Sequence, residues 1–233
     1  CAMVFRFGVL NGLLSRNPAA EVKTTDFMKS YEKKNFARIS KEQLPDYLTK
    51  VDAYPGGSLV RLAMKLMNLT FLRTSEFIGA KWTEIDFDNA RWNVPGERMK
   101  VKVQGHHVVP LSRQAIETLK ALKVISGTRT YIFPGERDPA NKFMSNNTIL
   151  AGIKRIGYKG DMTGHGYRGL ASTLLNEANF VHEHVERQLA HGAKDRVAAA
   201  YNHAKYIPQR TLMMQWWADY LDLARSGHVF PYP

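Results

Sequence analysis

The spacing of apolar residues changes once along the chain, and this change most restricts the folds open to it. Over residues 44–78, and again after Ser112, apolar residues recur three and four positions apart, which predicts amphipathic helices. Between Thr83 and Leu111 they alternate with polar residues, which predicts short strands joined by a turn at Asp88-Asn89. The sequence therefore predicts a mainly α fold with one small antiparallel β-sheet, an α+β class.

Local signals give the expected element boundaries. The pattern Ser40-Lys-Glu-Gln43 is typical of a capping box, and Ser58 is predicted to cap an apolar helix that ends near Thr70. Arg73 should then lie near the start of a short helix. The three strands are expected at 83–87, 91–95 and 107–111, and further helices at 112–127, 145–157, 166–178, 181–190, 194–204 and 208–225.

The domain organisation is predicted from composition and helix-stop signals. Residues 1–18 have helical spacing up to Asn17-Pro18 and are expected to be the end of a helix from a preceding domain. Residues 19–38 are polar and basic, which favours a linker. Residues 39–225 are predicted to form one domain of catalytic size, followed by a tail at 226–233. Because the chain starts at Cys1 rather than Met, we expect it to be a piece of a longer protein.

The bulk composition limits the class of protein. Hydrophobic residues make up 44% of the chain and charged residues 23%, which is typical of a folded globular protein. A net charge of +12 indicates a polyanionic partner, most commonly nucleic acid, although a merely basic surface is the plain alternative. One cysteine excludes a disulfide framework and a multi-cysteine zinc site, and fits a reducing cytosol. No apolar run approaches the roughly 20 residues that a membrane span needs.

A pair of side chains suits a phosphate group. His165 and Arg168 lie three residues apart and would share one face of a helix start. An arginine can bind phosphate oxygens in a bidentate manner, and a histidine can transfer a proton. Spacing alone leaves open that each is an ordinary surface residue. A tyrosine nucleophile is also ambiguous by spacing, since the candidates are Tyr167, Tyr201 and Tyr206.

Two further patterns are given structural interpretations. Val181-His-Glu-His184, with other histidines elsewhere, could suggest a metal site, but positions two apart on a helix point in different directions. We therefore predict no metal site. Trp216-Trp217 could stack on bases, but the apolar stripe around the pair predicts packing of the last helix.

Four short motifs occur together in one order along the chain: Leu72-Arg-Thr-Ser-Glu76, His165-Gly-Tyr-Arg168, Leu189-Ala-His-Gly192 and Ala200-Tyr-Asn202. Flanking segments accompany them, including Trp92-Asn-Val-Pro95, Arg98-Met-Lys100 and Met213-Met-Gln-Trp-Trp-Ala-Asp-Tyr-Leu221. In order and separation they resemble the tyrosine recombinase (phage integrase) family, over roughly residues 20–222. The resemblance implies the catalytic-domain fold of that family.

Roles in the site follow from this resemblance. It implies that Arg73 and Arg168 bind the scissile phosphate, His165 is the acid/base, His191 is a second histidine and Tyr201 is the nucleophile. The hairpin lysine, a general acid, matches Lys100, with Lys102 as the lesser candidate. Glu76 matches an acidic residue that supports the first arginine. Arg73, Arg168, Lys100 and Lys102 are the expected DNA contacts.

The resemblance also implies an activity. A site-specific integrase would cut and rejoin DNA through a covalent 3′-phosphotyrosine, without cofactor or metal, and so insert or excise a phage or genomic island. The expected partners are double-stranded attachment sites, three further protomers in a homotetramer, and host DNA-bending and excision-directing proteins. No membrane is expected, and the location would be the cytoplasm, at the bacterial nucleoid. The alternatives are a type IB topoisomerase-like strand transferase, a catalytically silent DNA-binding module and, more remotely, a magnesium-dependent nuclease.

Overall fold

The structure is a computed structural model, and it describes residues 1–20, 22, 36–100, 105–140, 142–191 and 206–228. The chain forms two compact units, residues 1–35 and 36–233. Every predicted site residue falls in the second unit. Of these, Lys102 and Tyr201 lie outside the described residues, as does the helix predicted at 194–204.

Among its described residues, 1–20 and 22, the first unit contains one short helix, α1 (Ala2–Leu10). The prediction that helical structure continues to Asn17-Pro18 is wrong. The helix ends at Leu10, with Asn11 as its C-cap, because Gly12 adopts a left-handed backbone with φ +70°. The amide of Leu13 then donates to the carbonyl of Gly8 at 2.8 Å. Glycine tolerates this conformation at a helix C-terminus with little steric cost.

The second unit is mainly helical, as predicted. Its described helices are α2 (Leu44–Asp52), α3 (Ser58–Thr70), α4 (Thr74–Ile78), α5 (Arg113–Ser126), α6 (Asn146–Arg155), α7 (Gly166–Glu177), α8 (His182–Gln188) and α9 (Ile207–Arg225). Helix α3 packs against α5 and α6, and α9 packs against α2 and α3.

A three-stranded antiparallel sheet follows α4, as the alternating apolar pattern predicts. Its strands, β1 (Ile85–Asp86), β2 (Arg91–Pro95) and β3 (His106–Pro110), lie in the order β1-β2-β3. Trp92 pairs with Val109 and Val94 pairs with His107, and these four residues form the buried face. The sheet thus places the β2–β3 connection, which contains Lys100, beside α4.

Helix caps agree with the prediction in part. Ser112 caps α5 by accepting a hydrogen bond from the amide of Ala115 at 3.2 Å. Gln43 accepts from the amide of Ser40 at 2.9 Å, which is one half of a capping box. The prediction for Ser58 is wrong, because the N-cap is Gly57 in an extended conformation and Ser58 is the first helical residue.

Two aromatic residues, one on α9 and one on α4, hold these helices on the core. The indole of Trp217 on α9 donates to the main-chain oxygen of Asn68 at 2.8 Å, so the predicted packing of this tryptophan is confirmed. Phe77 on α4 stacks on Phe133 with ring centroids 4.5 Å apart and lies 5.8 Å from Trp92 on β2. Phe77 therefore fixes α4, with Arg73 at its N-cap, against the sheet.

Replacing Phe77 with alanine should lower the free energy of unfolding by about 3–5 kcal/mol, because the ring is fully buried and its removal leaves a cavity. Chemical denaturation monitored by circular dichroism measures this change. Leu212→Ala is the matched control, since Leu212 is 72% exposed and its truncation should change stability by no more than about 0.5 kcal/mol. Equal effects of the two substitutions would contradict the assigned core.

Candidate active site

Arg73 lies at the N-cap of α4 and is held on two sides. One guanidinium nitrogen, Nη1, donates to Oε1 of Glu76 at 3.0 Å, and the other, Nη2, donates to the main-chain oxygen of Ala190 at 3.1 Å. The Arg73 side chain is 14% exposed, whereas that of Glu76 is fully buried. Glu76 thus supports Arg73, whose side chain keeps a small exposed fraction.

Arg168 lies deeper, in the first turns of α7. Its guanidinium donates to the main-chain oxygen of Phe71 at 3.1 Å and to that of Leu189 at 2.5 Å. Burial, and secondarily the charge of Arg73, lower the pKa of Arg168 to about 10. The guanidinium therefore remains charged at neutral pH, and the two arginines place their positive charges close together.

His165 is the N-cap of α7 and is exposed to solvent. Partial burial lowers the pKa of His165 below its ordinary value, and the positive charges of Arg168, Arg73 and Lys100 lower it further. The imidazole is neutral at pH 7 and can accept a proton. Its ring lies against Phe36, with centroids 4.4 Å apart.

His191 follows α8 at a sharp turn. Its Nδ1 lies 2.9 Å from Oε2 of Glu186, and Ala190 before it has a left-handed φ of +48°. The contact with Glu186 fixes the ring orientation, since a neutral imidazole hydrogen-bonded to a carboxylate carries its proton on that nitrogen. The other nitrogen, Nε2, is left for a second partner.

Lys100 follows a 3-10 turn, Gly96–Arg98, at the end of β2. Its amide makes a long contact of 3.4 Å to Oε1 of Glu76, and its side chain lines an open cleft of about 390 Å³. The cleft is also lined by Phe36, Arg73, Thr74, Ser75, Asn146 and His165. The fold therefore gathers predicted residues from α4, the β2–β3 hairpin and the start of α7, with Arg168 buried behind them.

The alternative tyrosines have different environments. Tyr167 is buried, and its hydroxyl is hydrogen-bonded to that of Tyr47. Burial also raises the pKa of Tyr167, so this residue is unsuited to act as a nucleophile. Tyr206 is the N-cap of α9, with φ +62°, and its hydroxyl donates to Glu183 at 3.0 Å. The assignment of the nucleophile to Tyr201 stays a prediction.

Three residues that the sequence analysis missed stand behind the site. Arg210 on α9 is 1% exposed, and its guanidinium donates to the Gln188 side chain through Nε at 3.0 Å and Nη2 at 2.6 Å, and also to the main-chain oxygen of Val108. Burial, and secondarily the charge of Arg187, lower the pKa of Arg210 to about 9. The third residue is His107, which is buried on β3.

These contacts converge on one turn. Arg210 binds the side chain of Gln188, Arg168 binds the carbonyl of Leu189, and Arg73 binds the carbonyl of Ala190. Three guanidinium groups thus hold three consecutive residues that lead directly into His191. No local pattern in the sequence predicts this arrangement, because it depends on groups from α4, α7 and α9.

No three histidine, cysteine or carboxylate side chains lie close enough to hold a metal ion in the part of the chain that the structure describes. In the segment Val181–His184, whose two histidines could suggest a metal site, His182 contacts Asn176 at 3.0 Å and His184 packs on Tyr206. Among the described helices none is long and apolar enough to span a bilayer.

Both the sequence and the fold of this chain have counterparts in known proteins. The chain belongs to the phage integrase family, whose sequence profile matches residues 37–207. It is 37% identical to the integrase of Enterobacteria phage P4, over 97% of this chain and 54% of that protein. It is also 37% identical to the prophage integrase IntS of Escherichia coli K12, over 95% of this chain and 57% of that protein. The chain thus spans little more than half the length of these relatives.

Solved structures show the same fold. A lambda integrase dimer bound to a COC′ core site matches with a TM-score of 0.60 at 20% identity, over 88% of this chain and 57% of that one. The integrase from mycobacterium phage Brujita matches with a TM-score of 0.61 at 16% identity, over 92% of this chain and 68% of that one. The mainly helical fold with a small antiparallel sheet, predicted from apolar spacing, is confirmed.

The buried imidazole of His107 should make the free energy of unfolding decrease as the pH falls. Burial, followed by the charges of Arg210, Arg168 and Arg73, lowers its pKa to about 3, whereas an unfolded histidine titrates near 6.5. The unfolded chain therefore binds the proton first as pH falls below about 6.5, and stability is lost. Between pH 7 and pH 4.5 the free energy of unfolding of the native chain should fall by about 2 kcal/mol more than that of His107→Gln. His106→Gln, at the exposed neighbouring position, should follow the native curve.

The charges near His165 give a second test. Replacing Lys100 with alanine removes one of the positive charges that lower the pKa of His165, so this pKa should rise toward its ordinary value. Nuclear magnetic resonance titration of the imidazole measures the shift. Lys120→Ala on α5 is the matched control and should leave the titration unchanged. An unchanged His165 pKa in Lys100→Ala would place the ammonium away from the cleft.

Proposed function

We propose that this chain contains the catalytic domain of a site-specific DNA integrase, which cuts and rejoins DNA strands through a covalent 3′-phosphotyrosine. The observation that carries the proposal is the convergence of Arg73, Lys100 and His165 at one cleft, with the charge of the buried Arg168 close to His165. These are the residues that match the motifs of the family, and together they suit a phosphodiester that reacts without a metal ion.

The first task of such a site is to bind the scissile phosphate. Arg73 lines the cleft with a side chain that is 14% exposed, and the buried Arg168 adds its charge nearby. Two cationic groups near a phosphate stabilise the additional charge of a five-coordinate transition state. In its protonated form, in which both ring nitrogens are donors, His191 can donate from Nε2 to a phosphate oxygen while Nδ1 is held by Glu186.

The second task is proton transfer. In the proposed step the hydroxyl oxygen of Tyr201 attacks phosphorus, its proton passes to neutral His165, and the bond from phosphorus to the 5′ oxygen breaks. Lys100 supplies the proton that the leaving 5′ oxygen requires. The reverse step, with a 5′-hydroxyl from the partner duplex, releases the tyrosine. Bond energy is conserved in the phosphotyrosine, so neither ATP nor a metal ion is needed.

Relatives support the proposed assembly. The lambda integrase with the same fold is known both as a dimer on a core site and as a tetramer on a Holliday junction. We infer that this chain acts as a homotetramer on two double-stranded attachment sites, aided by host DNA-bending and excision-directing proteins. It would insert or excise a phage or genomic island at the nucleoid, in the bacterial cytoplasm.

The proposed domain arrangement follows from the same similarity to integrases. Residues 1–18 would belong to a preceding core-binding domain, 19–38 to a basic linker, 39–225 to the catalytic domain and 226–233 to a tail.

The similarity to the P4 and prophage integrases favours recombination over topoisomerase activity. The cluster of phosphate-binding and proton-transferring side chains argues against a catalytically silent module.

Tyr201→Phe should abolish formation of an SDS-stable protein–DNA adduct, because phenylalanine has no oxygen to attack the phosphate. The substrate is a nicked duplex from the junction between the encoding element and its host chromosome, incubated in EDTA. Gel electrophoresis after denaturation measures the adduct. The native chain should form it despite the chelator, which a magnesium-dependent nuclease would not do.

Tyr206→Phe is the matched control and should still form the adduct, since its hydroxyl is engaged by Glu183. An adduct that persists in Tyr201→Phe and disappears in Tyr206→Phe would move the nucleophile to Tyr206. No adduct from the native chain would favour a DNA-binding module. Exchange of strands between two marked duplexes then distinguishes a recombinase from a topoisomerase, which only relaxes or religates one duplex.

A further inference from the structure

We propose that Arg98 is a positioning residue that fixes the base of the β2–β3 hairpin and thereby holds Lys100 where it can protonate the leaving 5′ oxygen. The inference rests on the proposed function, in which Lys100 is the general acid. Arg98 itself does not touch the phosphate in this account. It acts by limiting where the lysine two residues later can reach.

The contacts of Arg98 point away from the cleft and into the domain. Its Nη1 donates to the main-chain oxygen of Glu76 at 2.9 Å, and its Nη2 donates to Oε2 of Glu84 at 2.6 Å. The Glu84 side chain is 4% exposed, and that of Arg98 is 20% exposed. A charge-assisted pair with a buried carboxylate is directional, and removal of the arginine would leave that carboxylate without its ion-pair partner.

The carboxylate that accepts from Arg98 is itself held in place. Oε2 of Glu84 also accepts a hydrogen bond from the indole nitrogen of Trp92 at 3.1 Å, which ties it to β2. Space for the guanidinium is provided by Gly79, where an added Cβ would lie 3.2 Å from Nη1. The guanidinium thus occupies a built position between α4 and the sheet.

The segment from Arg98 to Lys100 is attached at both ends to the same residue. Arg98 binds the main-chain oxygen of Glu76, and the amide of Lys100 contacts its carboxylate at 3.4 Å. Met99 between them is buried, at 4% exposure. Because Glu76 also binds Arg73, one buried residue sets the position of a phosphate-binding arginine relative to the lysine.

This geometry has a chemical consequence for one step only. When the bond from phosphorus to the 5′ oxygen breaks, that oxygen must receive a proton, and a displaced lysine cannot deliver it. A sulfur atom in place of the bridging 5′ oxygen removes the requirement, because a thiol has a pKa of about 8.5 and leaves as a thiolate. A residue that acts through Lys100 should therefore matter for the oxygen substrate and not for the sulfur substrate.

The experiment compares cleavage rates on two nicked duplexes of identical sequence, one with the natural phosphodiester and one with a 5′-bridging phosphorothiolate. Lys100→Ala should slow cleavage of the natural bond by about 100-fold or more, and Arg98→Met by at least about tenfold. On the sulfur substrate both should recover to within about threefold of the native rate. The double variant should be no slower than Lys100→Ala, since Arg98 acts through the lysine.

Matched variants keep the test decisive. Arg113→Met removes an exposed arginine that pairs with Glu117 on α5 and should cleave both substrates at the native rate. Glu84→Gln weakens the same anchor from its acceptor side and should show a smaller defect with the same recovery on sulfur. If Arg98→Met does not fold, as judged by thermal unfolding, Glu84→Gln and Arg98→Lys carry the comparison.

The outcomes separate the two proposals. An Arg98→Met defect that is equal on both substrates, while Lys100→Ala recovers, would overturn the positioning role and leave the general acid in place. A Lys100→Ala defect that does not recover on sulfur would overturn the role of Lys100, and with it this inference. Adduct formation by Tyr201→Phe on either substrate would instead overturn the proposed nucleophile.

Discussion

The crowding of positive charge around one buried carboxylate is the constraint on which this structure depends. Arg73 and Arg168 lie close together and are largely withdrawn from water, which lowers the pKa of Arg168 to about 10. Like charges in such a place destabilise the fold unless acceptors surround them. Glu76 supplies one negative charge, and the carbonyls of Leu189 and Ala190 supply part of the remainder.

This arrangement makes the site an assembly of distant elements. Glu76 on α4 contacts both Arg73 and the hairpin at Lys100, while the turn before His191 is held by arginines from α4, α7 and α9. A change in one element therefore alters the others. In the free protein, the excess positive charge must be offset by acceptors from the protein itself. A bound phosphate would complement the same charge, so the stability of the site and its proposed chemistry have a common electrostatic origin. Partial burial and, after it, this positive charge also lower the pKa of His165, which favours the neutral imidazole that must accept a tyrosine proton.

Much of the fold could be predicted because its signals are local. Apolar spacing defines the helices and the small sheet, and the motifs around Arg73, His165 and His191 lie within single short segments. Local signals failed where one residue changed the outcome. Gly12 ends α1 well before Asn17-Pro18, and Gly57 rather than Ser58 caps α3. The first error arises because the left-handed backbone of Gly12 is not visible in a pattern of apolar spacing. The second arises because glycine and serine both occur as N-caps, so the sequence does not decide between two neighbours.

By itself the sequence determined the fold class, the family and the identity of the candidate catalytic side chains, since each is encoded by spacing within a segment or by a short motif. Only the tertiary structure decided what supports them. Three hydrogen bonds join residues that are distant in sequence: Arg98 with Glu84, 14 positions apart, Arg210 with Val108, 102 apart, and Tyr167 with Tyr47, 120 apart. Such pairs depend on how helices and strands pack, so the anchoring arginines and the unsuitability of Tyr167 as a nucleophile emerge only when the chain is folded.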